Sequence, residues 1–264
     1  MLFRSLYILP GILRRDPWKT DDAAGFGIMW TMAHGSLADW LSPNIVGMMM
    51  PTEAPLAFWI GAVLIKLRGW LLTDAVAARI STLIFFSIGA VAVWRTAFVL
   101  GRRNEAQPLK LAFGGQPAAI DYGRTLADGA LLIYLACLGL LLRSHETATP
   151  ALHVSLVAVA FYASACLFDK PAIRSATGLG ASIGLLVLAR GWTVPVALLV
   201  GLLALAAIRY RDALRQLITV AVPVAIAIPL LWLLALRTLL PDSEVADAWL
   251  TANLKLLSLP KLST

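Results

Sequence analysis

Two aspartates stand side by side near the start of the chain, Asp21-Asp22, directly after Trp18-Lys19-Thr20. An adjacent carboxylate pair can take a proton from a hydroxyl. It can equally form the negative first turn of a helix, where it meets the positive end of the helix dipole. Thr20 is the expected N-cap of such a helix, running through AAGFGIMWTMAHG. Glu53, just before Pro55, is either a cap for the following helix or a carboxylate that contacts an amino sugar or a metal. Arg124 and Asp128 precede a long apolar run, as a headgroup-snorkelling arginine and an N-cap for a helix starting at Gly129, or as partners in chemistry. Trp40 has the flat apolar body that lines binding grooves. His34, His145 and His153 lack any recurring metal-ligand spacing. Cys137 and Cys166 lie inside apolar runs as small core residues, not as a disulfide or zinc framework.

The elements that must position these residues are set by composition. Of 264 residues 59% are hydrophobic and only 14% charged, with a mean hydropathy of +0.80, more apolar surface than one soluble core of this size buries. Runs such as GALLIYLACLGLLL are continuously apolar and lack the alternation of a membrane barrel strand. The expected fold is therefore all-α, a polytopic transmembrane helical bundle of about six to eight hydrophobic segments, built as a single membrane domain over 1–264. The net charge of +7 and pI near 9.8 come from basic residues at the ends of apolar runs. These act as topology signals and lipid-headgroup contacts, and a nucleic-acid partner is excluded on that ground.

Along the chain, MLFRSLYILPGIL is too short to span a bilayer and is expected to be a clipped first transmembrane helix. Residues 14–55 mix charge with Trp18, Phe26, Trp30, Trp40 and Met48-Met49-Met50, as suits interfacial helices in an external loop. A clear helix over Ala78 to Leu100 closes at Gly101-Arg102-Arg103, a cytoplasmic stop. Residues 101–128, rich in proline, glycine and charge, read as an ordered loop. Apolar runs at 129–142, 151–167, 176–189, 193–208 and 217–236 follow as hairpins, and 241–264 reads as an extramembrane tail. Placing that acidic tail outside puts FDKPAIRS and RYRDALRQ inside. This arithmetic conflicts with an external Asp128.

The ordered set of motifs resembles the first external loop and following helices of GT-C glycosyltransferases, in the superfamily of aminoarabinose transferases and protein O-mannosyltransferases, over roughly residues 15 to 190. It consists of Asp21-Asp22, Met32-Ala33-His34-Gly35, Trp40 with Pro43, Glu53-Ala54-Pro55-Leu56 before Phe58-Trp59, Ala77-Ala78-Arg79-Ile80, Gly123-Arg124-Thr125-Leu126-Ala127-Asp128 and GLGASIGLLVLARG. Three departures stand out. Glu53 occupies the place of the usual lysine, a Pro/Gly-rich stretch at 104–120 replaces a helix, and the further helices and soluble region of longer members are missing, as in a fragment or reduced homologue.

The resemblance implies sugar transfer from a polyprenyl-phosphate donor to a lipid A, glycan or protein acceptor, in a bacterial-type inner membrane with the acidic loop on the non-cytoplasmic face. It implies Asp21 or Asp22 as base, Arg124 at the donor phosphate, Asp128 as an orienting acid or ligand of a divalent metal ion, Glu53 beside an amino sugar or metal, and Trp40 along a sugar or lipid groove. The rival class is a non-catalytic membrane protein, a transporter subunit or assembly scaffold, in which these residues only fix topology. Charges gathered at segment ends, with Arg95 the exception, argue against a transport pathway.

Overall fold

In the computed structural model residues 19–67, 72–109, 114–137, 139–140, 146–241 and 244–257 are described; the short N-terminal apolar segment, Trp18 and His145 lie outside them. Helix α1, Thr20–His34, carries Asp21 and Asp22 in its first turn as expected. Its N-cap is Lys19, one residue earlier than Thr20, and contributes no side-chain cap bond. A short α2, Leu37–Leu41, starts where Asp39 reaches back to accept from the Ser36 backbone N–H at 2.7 Å. An antiparallel pair of two-residue strands follows, β1 Asn44–Ile45 and β2 Met48–Met49. Val46 and Gly47 turn it with φ of 50° and 87°, the hand that matches strand twist. Helix α3, Leu56–Leu67, packs on both α1 and the next helix.

The long α4, Asp74–Gly101, begins at Thr73, whose side chain accepts from the Val76 N–H, and its 28 residues rise about 42 Å. Against it lie α5, Ala119–Ala136, and α6, Thr149–Asp169. Then come α7, Ile173–Arg190, α8, Thr193–Arg209, and α9, Arg211–Gln216, which passes through a π-helical turn at Leu217–Ala221 into α10, Val222–Leu239. Gly180 and Gly184, one turn apart on α7, let α10 approach until a Cβ at either would meet the backbone oxygens of Ala221 or Ala225, the small-residue packing of membrane helices. Among the described residues three helical stretches are long and apolar enough to cross a membrane: 74–101, 149–169 and 211–239. Shorter apolar helices pack beside them, in a polytopic all-α bundle.

One expectation is corrected. The segment 101–128 is not loop throughout, because α5 already begins at Ala119; Asp128 therefore lies inside a helix and does not cap one at Gly129. Gly123, Ala127 and Tyr134 recur on one buried face, and this helical period outweighs the charges beside it. In the stretch read as an extramembrane tail, α11, Val245–Leu257, seats Trp249 between Trp192 and Trp232, with ring centroids 5.4 and 5.2 Å away.

The bundle has two chemically different ends. The starts of α1, α4 and α6 and the ends of α7 and α10 gather at one, where Asp22 meets Arg79 and Thr147, and Trp232 donates to the Leu41 carbonyl. At the other end, Arg102 and Arg103 meet Asp169, and Arg103 also reaches Tyr210. Helix α5 starts at that basic end, beside Phe98 and Arg102, so Asp128 lies partway along the bundle and not at the end that holds Asp22.

Candidate functional site

At the acidic end the two aspartates do different things. Asp22 is fully buried: its Oδ1 accepts from the Thr147 backbone N–H at 2.8 Å and from the Thr147 hydroxyl at 2.7 Å, and its Oδ2 lies 3.5 Å from Arg79 of α4. One helical turn on, Gly25 is pressed so closely on the Thr147 carbonyl that a Cβ there has no room. Beside this knot Lys19 bonds Glu146 at 2.7 Å. The first turn of α1 is thereby bolted to the turn that opens α6. Because successive helical side chains diverge by about 100°, burying Asp22 directs Asp21 outward.

Asp21 faces a cavity of about 290 Å³ that also takes in Glu53, Arg190, Thr149, Met50 and Phe58. It borders a second, shallower hollow with Lys19, Thr20 and Glu146. Arg190 is the last residue of α7, where a cation suits the negative end of the helix dipole; Gly191, at φ 90°, ends the helix directly behind it. Desolvation pushes the Glu53 carboxyl above its ordinary range, an effect opposed by the Arg190 charge and reinforced by Asp21. Glu53 makes no cap bond to α3 among the described residues; Pro55 holds that place, its carbonyl accepting from the Trp59 N–H. Two carboxylates and a guanidinium thus share one opening. That set can accept a proton, share one, and neutralise an anion.

Of the residues singled out in sequence, Asp21, Asp22 and Glu53 come together here. Arg124 and Asp128 do not. Asp128 accepts from the Trp94 indole N–H at 3.0 Å, and Trp94 lies 15 residues beyond Arg79 on α4, about 22 Å along its axis. Arg124 is farther still, next to the glycine that packs on Phe98 and Arg102, and lies 3.7 Å from Asp121 of its own helix. Trp40 stands outside the cavity wall, under the Lys66 ammonium at 5.2 Å, with its carbonyl taken by the Trp59 indole. Residues that sequence reasoning left aside supply the rest: Arg79, Glu146, Thr147, Thr149 and Arg190. Arg79 and Arg190 do stand in segments that carry the family resemblance, each beside a small-residue marker, Ala77-Ala78 and Gly191.

No further acidic or histidine ligand completes a metal site: among the described residues no three His, Cys, Asp or Glu side chains converge. Asp21 and Glu53 are the carboxylates of the cavity, and the cationic Arg190 shares it with them.

Among solved structures the chain is similar to ArnT from Cupriavidus metallidurans, both bound to undecaprenyl phosphate and in the apo state. The TM-scores are 0.65 and 0.67 at 16% identity in each case, and the matches cover 91% and 94% of this chain. The chain spans 41% and 43% of the length of those structures. No family model and no curated protein matches the sequence. The fold is accordingly that of the polytopic ArnT membrane bundle.

Proposed function

We propose that the chain is a GT-C-type glycosyltransferase unit that transfers a sugar from a polyprenyl-phosphate donor to a hydroxyl of a lipid A, glycan or protein acceptor. The observation that carries this reading is the Asp21, Glu53 and Arg190 cavity at one end of an ArnT-like bundle, ArnT itself having been solved with undecaprenyl phosphate. In the proposed reaction Asp21 accepts the acceptor's hydroxyl proton as its oxygen attacks the anomeric carbon. The bond from that carbon to the phosphate oxygen breaks, the polyprenyl phosphate leaves with the electron pair, and Arg190 neutralises it. Glu53, with its proton held more tightly than usual, is suited to hydrogen-bond a sugar hydroxyl or the departing oxygen. Asp22, Arg79 and Thr147 act as positioning residues that hold Asp21 in place.

The membrane is assigned as a bacterial-type inner membrane, with the acidic cavity on the non-cytoplasmic face. Arg102, Arg103, Lys170, Arg174, Arg209, Arg211 and Arg215 all belong to helix ends at the opposite side, as the positive-inside rule requires. The test supplies the full-length protein with a labelled polyprenyl-phosphate sugar. Asp21→Asn is expected to lose roughly 10²- to 10⁴-fold in transfer with an unchanged melting curve. Wild-type transfer by Asp21→Asn sinks the assignment of the base.

A further inference from the structure

The basic end of the bundle holds two pairs of arginines with opposite fates. Arg102 and Arg103 are answered internally by Asp169 at 3.0 and 3.6 Å, and Arg103 also donates to the Ala165 carbonyl. Arg211 and Arg215, one turn apart on α9, have no ion pair among the described residues. They line an open cavity of about 570 Å³ between α9, the π-helical turn and the start of α7. Pro171 and Ile173, at the start of α7, form the facing wall. Asp212 is the one acidic lining residue, against two arginines. Gln216 also lines the cavity.

A ligand that suits these features carries a phosphate for the arginines and an apolar tail to run along the exposed Ile173 and Ile218 side chains. We propose that this cavity is a binding site for the phosphate headgroup of an anionic phospholipid of the phosphatidylglycerol class, in the leaflet opposite the acidic cavity. Arg211 and Arg215 grip the phosphate from successive turns, with Thr219 of the π-helical turn completing the wall. The site is independent of the transfer reaction proposed for the other end.

The experiment measures lipid retention by the full chain, purified in neutral detergent, by native mass spectrometry. The probes are dioleoyl phosphatidylglycerol, dioleoyl phosphatidylcholine and inorganic phosphate. Wild type is expected to retain phosphatidylglycerol over phosphatidylcholine, and Arg211→Gln/Arg215→Gln to weaken that retention roughly 30-fold. Arg102→Gln/Arg209→Gln, which removes two charges from the same end outside the cavity, is expected to leave it unchanged. Equal losses in both double variants reduce the effect to diffuse charge and overturn the site. Retention unaffected by either also overturns it. Inorganic phosphate bound as tightly as the lipid, with no preference for phosphatidylglycerol over phosphatidylcholine, overturns the lipid assignment. Arg211→Lys/Arg215→Lys, which keeps the charge on the same exposed positions, is expected to restore most of the retention, and its failure to do so in a folded protein counts against the charge-based seat.

Discussion

Two regions of this molecule present an aspartate and an arginine in close association, and they differ in everything except residue type. At the start of α1, Asp22 and Arg79 are sealed from solvent, and their burial turns Asp21 toward a cavity already holding Glu53 and Arg190. On α5, Asp121 and Arg124 are a 3.7 Å pair on an open helix face, about two-thirds exposed on both sides, and Asp128 answers only the indole of Trp94. Exposed ion pairs of the second kind contribute little, whereas a buried pair is tolerated only when its surroundings hold it in place. The difference teaches that a site here is defined by what fixes the carboxylate, not by how many acidic and basic residues a segment contains.

The widest gap between the two regions is expected in activity. Arg190→Gln is predicted to lower transfer from a polyprenyl-phosphate sugar by roughly 10²- to 10³-fold, as loss of a charge-stabilising donor does. Arg124→Gln is predicted to leave the rate essentially unchanged. Single-turnover assays on the two variants, side by side, decide it. If Arg124→Gln is the slower enzyme, the cavity at the α1 end is not where the donor phosphate sits.

Stability separates the regions next. Asp22→Asn leaves the Arg79 guanidinium buried with its charge uncompensated, and its Nε and Nη1 already lack partners among the described residues. The expected cost is about 3–5 kcal/mol, read as a lower melting temperature in detergent. Adding Arg79→Met to that variant is expected to recover much of the loss, because the orphaned charge goes with it. Asp128→Asn, on the open face, is expected to cost no more than about 0.5 kcal/mol. A melting temperature for Asp22→Asn equal to that of Asp128→Asn would remove the positioning role of the buried pair.

How far this contrast was legible in the sequence follows from the same physics. The bundle class, the helix carrying Asp21 and Asp22, and the long helix ending at Gly101 all follow from apolar runs bounded by charge, a signal local to each segment. The helix at 119–136 was masked because Asp121, Arg124 and Asp128 occupy its open face, while the residues that fasten it, Gly123 and Ala127, are small and carry no hydropathy signal of their own. The partners of the aspartate pair were illegible for a different reason. Thr147 lies 125 residues from Asp22 and Arg79 lies 57 away, and nothing in local pattern says which threonine or arginine will close a distant knot. Arg190 looked like one more basic residue at a helix end until the bundle placed it opposite Glu53.

The smallest predicted effect sharpens the comparison within the cavity itself. Burial raises the Glu53 pKa above its reference value of 4.5, against the pull of Arg190 and with the push of Asp21. Between 4.5 and that raised value the folded chain keeps a proton that the unfolded chain has released. Folded stability must therefore fall as pH rises through this window, the reverse of an ordinary salt-bridged carboxylate. Glu53→Gln, which stays neutral, is expected to lack that decline, and melting curves of both proteins from acidic to neutral pH measure the difference. Arg190→Gln removes the opposing charge, so it should push the Glu53 pKa higher and extend the decline toward neutral pH. If wild type and Glu53→Gln give parallel curves, Glu53 is not desolvated in the cavity, and its carboxyl would meet a bound sugar as an ordinary solvated anion without the proton proposed for it.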